Sequence, residues 1–167
     1  MRKIVNEGAG VRGFFRLRIR ENGKIVGQSD WFENIVTNVG IEKYIHAFSG
    51  TTGTLQVSHI SIGTGGAPAS DATSLTGEVV VSSRRAAVAG SLSSTNRAAS
   101  NGTSTMQFAA TLASSDSFVT AAASISNIGL FNSSSAGSLM AGNTYDSSAL
   151  ATNQNVEMSY QIRFSYT

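Results

Sequence analysis

Val156-Glu157-Met158-Ser159-Tyr160-Gln161-Ile162-Arg163-Phe164-Ser165-Tyr166 alternates between apolar and polar side chains without a break. Successive side chains of a strand point to opposite faces. This stretch therefore puts Val156, Met158, Tyr160, Ile162, Phe164 and Tyr166 on one face, and Glu157, Ser159, Gln161, Arg163 and Ser165 on the other. A half-buried strand of that length is expected in the middle of a sheet. The same period recurs near the other end, where Phe15, Leu17 and Ile19 alternate with Arg16, Arg18 and Arg20. Asn22-Gly23 comes next, the preferred pair for a tight type I′ turn because both positions need positive φ, and Lys24-Ile25-Val26 resumes the apolar pattern. A hairpin over about 12–30 is predicted.

Between these two strands, Ile41, Tyr44, Ile45 and Phe48 recur at three- and four-residue spacing, with Asn38 as a cap and Gly50 as a terminator. One short helix over about 39–49 is expected. Leu55, Val57 and His59 alternate into Ile60-Ser61-Ile62, a further strand, and the adjoining Gly63-Thr64-Gly65-Gly66-Ala67-Pro68-Ala69-Ser70-Asp71 reads as loop. Short β-prone runs at 78–83, 86–91, 105–112, 123–131 and 138–141 are separated by Ser, Gly and Asn, and Asn101-Gly102 is a second candidate hairpin turn. Eight or nine strands, one helix and a single proline fit a mainly β chain, an antiparallel β-sandwich or jelly-roll-like domain. The 167 residues suit one domain over 1–167, and no fixed internal repeat suggests a propeller or solenoid.

Charged residues make up only 13% of the chain, about half the usual share, and about a quarter of the residues are Ser or Thr. The surface is therefore expected to be neutral and hydroxyl-rich. A net charge of +2 is a weak footprint for nucleic acid. No apolar run approaches the ~18 to 20 residues needed to span a bilayer, and the polar start 1–7 leaves no room for the core of a secretory leader. The expectation is a chain with neither a membrane nor a nucleic-acid partner.

What charge there is lies unevenly. Arg2, Lys3, Arg12, Arg16, Arg18, Arg20 and Lys24 fall in the first 24 residues, whereas 79–156 carries only Arg84, Arg85, Arg97, Asp116 and Asp146. The neutral middle is expected to supply the sandwich and contacts between copies. The basic segment 1–30 is the expected docking element, with Arg12, Phe14, Arg16, Arg18, Arg20 and Trp31 as candidate interface residues and Phe14 and Phe15 as apolar anchors.

Chemistry-bearing groups are sparse. Zero cysteines exclude disulfides, thiolate metal sites and cysteine nucleophiles. His46 and His59 have no partner at metal-ligand spacing and read as ordinary helix and strand residues. No Gly-x-Ser-x-Gly elbow accompanies the many serines, and nothing selects a carboxylate pair from the scattered acids. Gly63-Thr64-Gly65-Gly66 lacks the Gly-Lys-Ser/Thr ending of a phosphate loop and reads as a structural turn. No enzyme, cofactor or metal is expected.

Three ordered stretches resemble small β-rich structural proteins of tailed-bacteriophage virions. The first is Trp31-Phe32-Glu33-Asn34-Ile35-Val36-Thr37-Asn38-Val39-Gly40, similar to an Asn-x-Val-Thr-x-x-Gly lead into a short helix. The second runs from His59-Ile60-Ser61-Ile62-Gly63-Thr64-Gly65 to Asp71-Ala72-Thr73-Ser74-Leu75-Thr76-Gly77-Glu78. The third is Ile125-Ser126-Asn127-Ile128-Gly129-Leu130-Phe131-Asn132, then Gly137-Ser138-Leu139-Met140-Ala141 and the terminal strand. In such proteins an acidic residue commonly stands where this chain has Asn127, and an arginine where it has Val79; Arg84 or Arg85 is the candidate substitute.

The resemblance implies a non-enzymatic virion component assembled in the host cytoplasm. The leading expectation is a capsid decoration, or cement, protein that packs as a homo-oligomer, often a trimer, against the major capsid protein. The alternative is a tail, collar or fibre-associated protein meeting tail proteins, with a receptor- or carbohydrate-binding role. Trp31, Phe131 and Tyr145 are the candidates there for stacking on sugar.

Overall fold

A computed structural model describes residues 9–48, 56–79, 86–95, 103–116 and 121–166. In chain order the elements are β1 (Ala9–Glu21), β2 (Lys24–Gln28), β3 (Phe32–Val36), α1 (Asn38–Phe48), β4 (His59–Gly63), β5 (Glu78–Val79), β6 (Ala86–Ala87), β7 (Ala89–Thr95), β8 (Thr103–Leu112), β9 (Ala123–Phe131), β10 (Leu139–Leu150) and β11 (Asn155–Tyr166). The chain is mainly β with one short helix, as the sequence pattern predicts. Among the described residues eleven strands exceed the expected eight or nine, because two are two-residue strands and β3 carries no readable alternation. The candidate turn at 101–102, the terminator Gly50 and residues 80–85 lie outside the described residues.

All strands pair antiparallel in the order β5-β4-β9-β10-β3-β1-β11-β8-β7, with β2 also on β1 and β6 also on β4. β11 lies between β1 and β8, so the long alternating segment is central. The order divides at β3 into a first half (β7, β8, β11, β1, with β2) and a second half (β10, β9, β4, with β5 and β6). Inward residues of both halves form one core: Phe15, Leu17 and Ile19 with Met158, Tyr160 and Ile162 from the first, Ile60, Ile62, Ile128 and Leu130 from the second. The sheet therefore curls over itself as a sandwich. Phe15 stands at the centre, its ring 5.8 Å from Phe32, 6.2 Å from Tyr160 and, across the layers, 6.0 Å from Tyr145.

The hairpin forms as the Asn-Gly pair requires, with φ of 50° at Asn22 and 79° at Gly23. It is not an appendage to a neutral sandwich, since β1 is paired along nearly its whole length with β11 and supplies core side chains. Phe15, expected as a docking anchor, is fully buried. A bulge between Ile19 and Arg20 breaks the β1–β2 register, pairing Ile19 with Gly27 and Arg20 with Ile25. It leaves Ile25 and Val26 exposed at the edge.

α1 starts one residue earlier than predicted, and its cap is Thr37, not Asn38. Thr37 Oγ1 accepts from the Gly40 N–H (3.0 Å) and donates to the Leu139 carbonyl (2.7 Å), so one hydroxyl both caps the helix and ties it to β10. The Asn38 N–H is used elsewhere, donating to the Ser70 carbonyl at 2.7 Å. Gly40 packs so closely on β10 that a β-carbon there would collide with the Met140 carbonyl oxygen. Further along, Tyr44 meets Phe164 edge-on at 6.1 Å and closes one end of the sandwich.

The outer face of the second half has its own cover. Ile128 and Leu130 point into the main core, so Gly129 and Phe131 point away, and Phe131 joins Leu139 and Leu75 in a second small cluster. Leu75 belongs to the loop 64–77, which lies over β9 and β10 with Pro68 against Gly142. This lid loop continues the Gly-Thr-Gly segment that starts at Gly63, the last residue of β4, and is hydrogen-bonded to α1, β9 and β10.

This packing carries two expectations. Replacing a helical glycine with alanine ordinarily stabilises by about 0.5–1 kcal/mol, but Gly40→Ala should be destabilising by about 1–3 kcal/mol, because overpacking against backbone wins. A lowered urea midpoint at unchanged slope is the expected readout. The second concerns Tyr44, Tyr145 and Tyr160, three of the four tyrosines. Burial pushes their hydroxyls well above the usual tyrosine range, and for Tyr160 the nearby Tyr44 adds to it. Unfolded tyrosines ionise near pH ~10 and these do not, so the stabilisation is complete below that pH and is lost as pH rises above it. Tyrosinate absorbance for three tyrosines should therefore appear together with loss of circular dichroism, not before it.

Candidate functional site: the arginine face

Alternation along β1 sends Phe15, Leu17 and Ile19 inward and Phe14, Arg16, Arg18 and Arg20 outward, with Arg12 on the same outward set. Trp31, in the β2–β3 connection, joins them because the Arg16 guanidinium lies over its ring, 4.9 Å from the centroid. The fold thus brings all six residues singled out from the sequence to the outer face of the first half.

Register adds residues that the sequence did not nominate. β11 lies beside β1 with Arg163 opposite Arg12, Gln161 opposite Phe14, and Glu157 opposite Arg18. Two like charges directly opposite on a sheet are unfavourable, and both side chains turn away from the pairing. Arg163 folds over Phe14, 4.1 Å from the ring centroid, and donates to Gln161 Oε1 at 2.7 Å. Gln161 in turn donates to Gln107 Oε1 on β8 at 2.9 Å. Arg12 faces Glu33 at 3.7 Å.

The remaining guanidiniums are laid down in the same way. Arg18 Nε donates to Gln28 Oε1 at 2.8 Å. Arg20 bonds Glu157 on the diagonal and donates to the Gly23 carbonyl at 2.9 Å. The face therefore carries five arginines against two glutamates, Glu33 and Glu157, with most guanidiniums held along the sheet by a carboxylate, an amide or a ring. Such a surface is positive, and it offers planar donors to carboxylates.

Residues weighed for chemistry sit apart from this face. His46 is on α1 with Nε2 3.7 Å from Glu42 Oε1, and His59 Nδ1 is 2.8 Å from Ser58 Oγ at the start of β4. Among the described residues no three His, Asp or Glu side chains converge as a metal site, and no helix is long and apolar enough to cross a membrane. Of the aromatics considered for sugar stacking, Phe131 and Tyr145 are buried and Trp31 is at the surface.

Asn127, which departs from the resembling pattern, has a clear structural task. Its Nδ2 donates to the Gly66 carbonyl (3.1 Å) and the Thr76 carbonyl (2.9 Å), and neighbouring Ser126 donates to the Gly65 carbonyl (2.9 Å). Both ends of the loop 64–77 are thereby pinned to β9. Val79 pairs with Ile62, while Arg84 and Arg85 lie outside the described residues.

Comparison of the chain with known protein families, with curated proteins and with solved structures finds no match.

The single tryptophan gives a direct probe of the face. Arg16→Gln removes the cation over Trp31 and uncovers the ring. Its emission should shift to the red and be more readily quenched by acrylamide, while stability changes by less than about 1 kcal/mol.

Proposed function

We propose that this chain is a non-enzymatic structural protein of a tailed-bacteriophage virion, packing as an oligomer on the capsid as a decoration protein. The observation that carries the reading is the meeting in space of the three stretches that resemble such proteins. Thr37 and Asn38 of the first bond Leu139 of the third and Ser70 of the second. Asn127 of the third holds Gly66 and Thr76 of the second, and the Leu139 N–H donates to the Thr73 carbonyl at 2.9 Å. Stretches far apart in sequence thus build one architectural unit, the helix start, the lid loop and the β9–β10 hairpin.

Their polar side chains hold backbone in place. That is the role expected of signature residues in a packing protein, and it supports the resemblance on grounds other than sequence order. A surface with few charges also suits a protein whose copies crowd on a shell, because repulsion between identical neighbours stays small. The partners in this reading are further copies of the chain and the major capsid protein.

Purified particles from the virus that encodes the chain provide the test. Immunogold labelling or a cryo-EM reconstruction should place the chain in a regular array on the capsid shell. Label confined to the tail would move it to a tail or collar role, and its absence from particles by mass spectrometry would overturn the proposal.

A further inference from the structure

Three of the five guanidiniums on the arginine face have no carboxylate partner among the described residues. Arg16 lies over Trp31, Arg18 is bonded to Gln28, and Arg163 lies over Phe14 and is bonded to Gln161. Rings and amides hold a guanidinium in place without neutralising it. Arg12 is nearly as free, because its contact with Glu33 is 3.7 Å long and joins side chains that are 67% and 58% exposed. An exposed pair of that kind is weak and gives way to a competing carboxylate. Arg20, bonded to Glu157, is the one firmly paired member of the five. With Asp30, exposed next to Trp31 in the chain, the carboxylates on or beside the face are Glu33, Glu157 and Asp30. The charged residues outside the described stretches are Arg2, Lys3, Arg84, Arg85, Arg97 and a single acid, Glu7, so counting them leaves the balance positive.

Aliphatic side chains stand among these charges. Ile25 pairs opposite Arg20, which puts it on the same face, and it is 48% exposed. Ile35 follows buried Asn34 and points outward together with Glu33, half-buried. Arginine and aromatic rings with apolar area between them are the composition of a protein–protein contact. Nucleic acid fits less well, because Phe14 and Trp31, the rings on which bases would stack, each lie under a guanidinium.

From this we infer that the arginine face docks on another protein, at a surface that presents carboxylates with aliphatic side chains among them. Each unpaired guanidinium takes a carboxylate through two parallel hydrogen bonds and exchanges an amide or a ring for a charge. The face holds these guanidiniums in place before the partner arrives, so docking orders fewer side chains than free arginines would require. Two aliphatic side chains are a small area, so charge carries the contact and salt weakens it. Two copies set face to face would oppose like charges, which leaves a partner of the opposite sign. The inference goes beyond the proposed function, since it states the chemistry of the partner and holds whichever assembly supplies it.

A fluorescein-labelled peptide of four Glu-Glu-Leu repeats stands in for such a surface. At low ionic strength its anisotropy should rise to saturation with added full chain and fall back at about 0.5 M salt, where the screening length is only a few ångströms. A Gln-Gln-Leu peptide should not bind. Binding of the acidic peptide should also lower acrylamide quenching of Trp31, the single tryptophan, because the partner covers its ring. Arg16→Gln with Arg18→Gln should weaken binding by about tenfold, whereas Lys43→Gln, which removes a charge from α1, should change it by less than about twofold. Circular dichroism checks that the variants keep the fold. Failure of the acidic peptide to bind, equal binding by the double arginine variant, or unchanged quenching of Trp31 at saturation would each overturn the inference. So would a 20-nucleotide oligonucleotide that binds more tightly than the peptide and is lost in the same variant, which would reassign the face to nucleic acid. None of these failures would remove the chain from a particle on which labelling had found it, and its absence from particles would leave the peptide result as it stands.

Discussion

The short strand β3 holds the two halves of the sandwich in one continuous sheet. Phe32, Glu33 and Asn34 pair with β1, and the next two residues, Ile35 and Val36, pair with β10. Five residues thus belong to both halves, and the side chain of Asn34 lies in the space that Gly13 leaves by having no β-carbon. A β-carbon at Gly13 would collide with the Asn34 amide, so that side chain would have to leave its place between β1 and β3. The elements downstream of β3 depend on this crossing: Thr37 comes directly after Val36 and lands where its hydroxyl reaches both β10 and the first turn of α1. The helix then fixes Ser70 through Asn38, and with it the lid loop. Placement of helix, loop and outer hairpin is set by one strand that changes partners midway.

The same strand shows why parts of the fold could not be read from the sequence. β1 and β11 announce themselves because each has one face in the core and one in water for its whole length, so hydrophobicity alternates. In β3 the polar Asn34 is buried and the apolar Ile35 is 37% exposed, the reverse of the pattern that marks a strand. The lid loop was legible only as a loop. Its Leu75 is apolar because it covers Phe131 and Leu139, residues that come more than fifty positions later, and no local spacing encodes that contact. The helix is visible from its period, but its cap lies one residue before the expected position. Asn38 and Thr37 are both good caps locally, and what selects Thr37 is a carbonyl of β10.

The arginine face was half legible for a similar reason. Arg12, Arg16, Arg18 and Arg20 share a face by periodicity alone, and Phe14 lies between them. Glu157, Gln161 and Arg163 belong to the same surface, but through strand register between residues about 140 positions apart, which alternation cannot supply. Without them the stripe looks like free charge. With them it is a layer of guanidiniums resting on rings, amides and carboxylates, and its reach into solvent is shorter than the residue types suggest.

The two outer faces of the sandwich solve the same problem differently. The outward positions of β9 and β10 include Phe131 and Leu139, which water would not tolerate, and the chain covers them with its own loop. The outward positions of β1 and β11 are nearly all polar, and their one large apolar ring, Phe14, is covered by Arg163. The first face is therefore finished within one chain. The second is stable in water as it stands, so any association there gains little from burying apolar area and depends on charge. Contacts of that kind form fast and respond to ionic strength. A protein added to a surface that is already assembled gains from such a contact, because it can be corrected after a wrong encounter and becomes firm only when several copies act together.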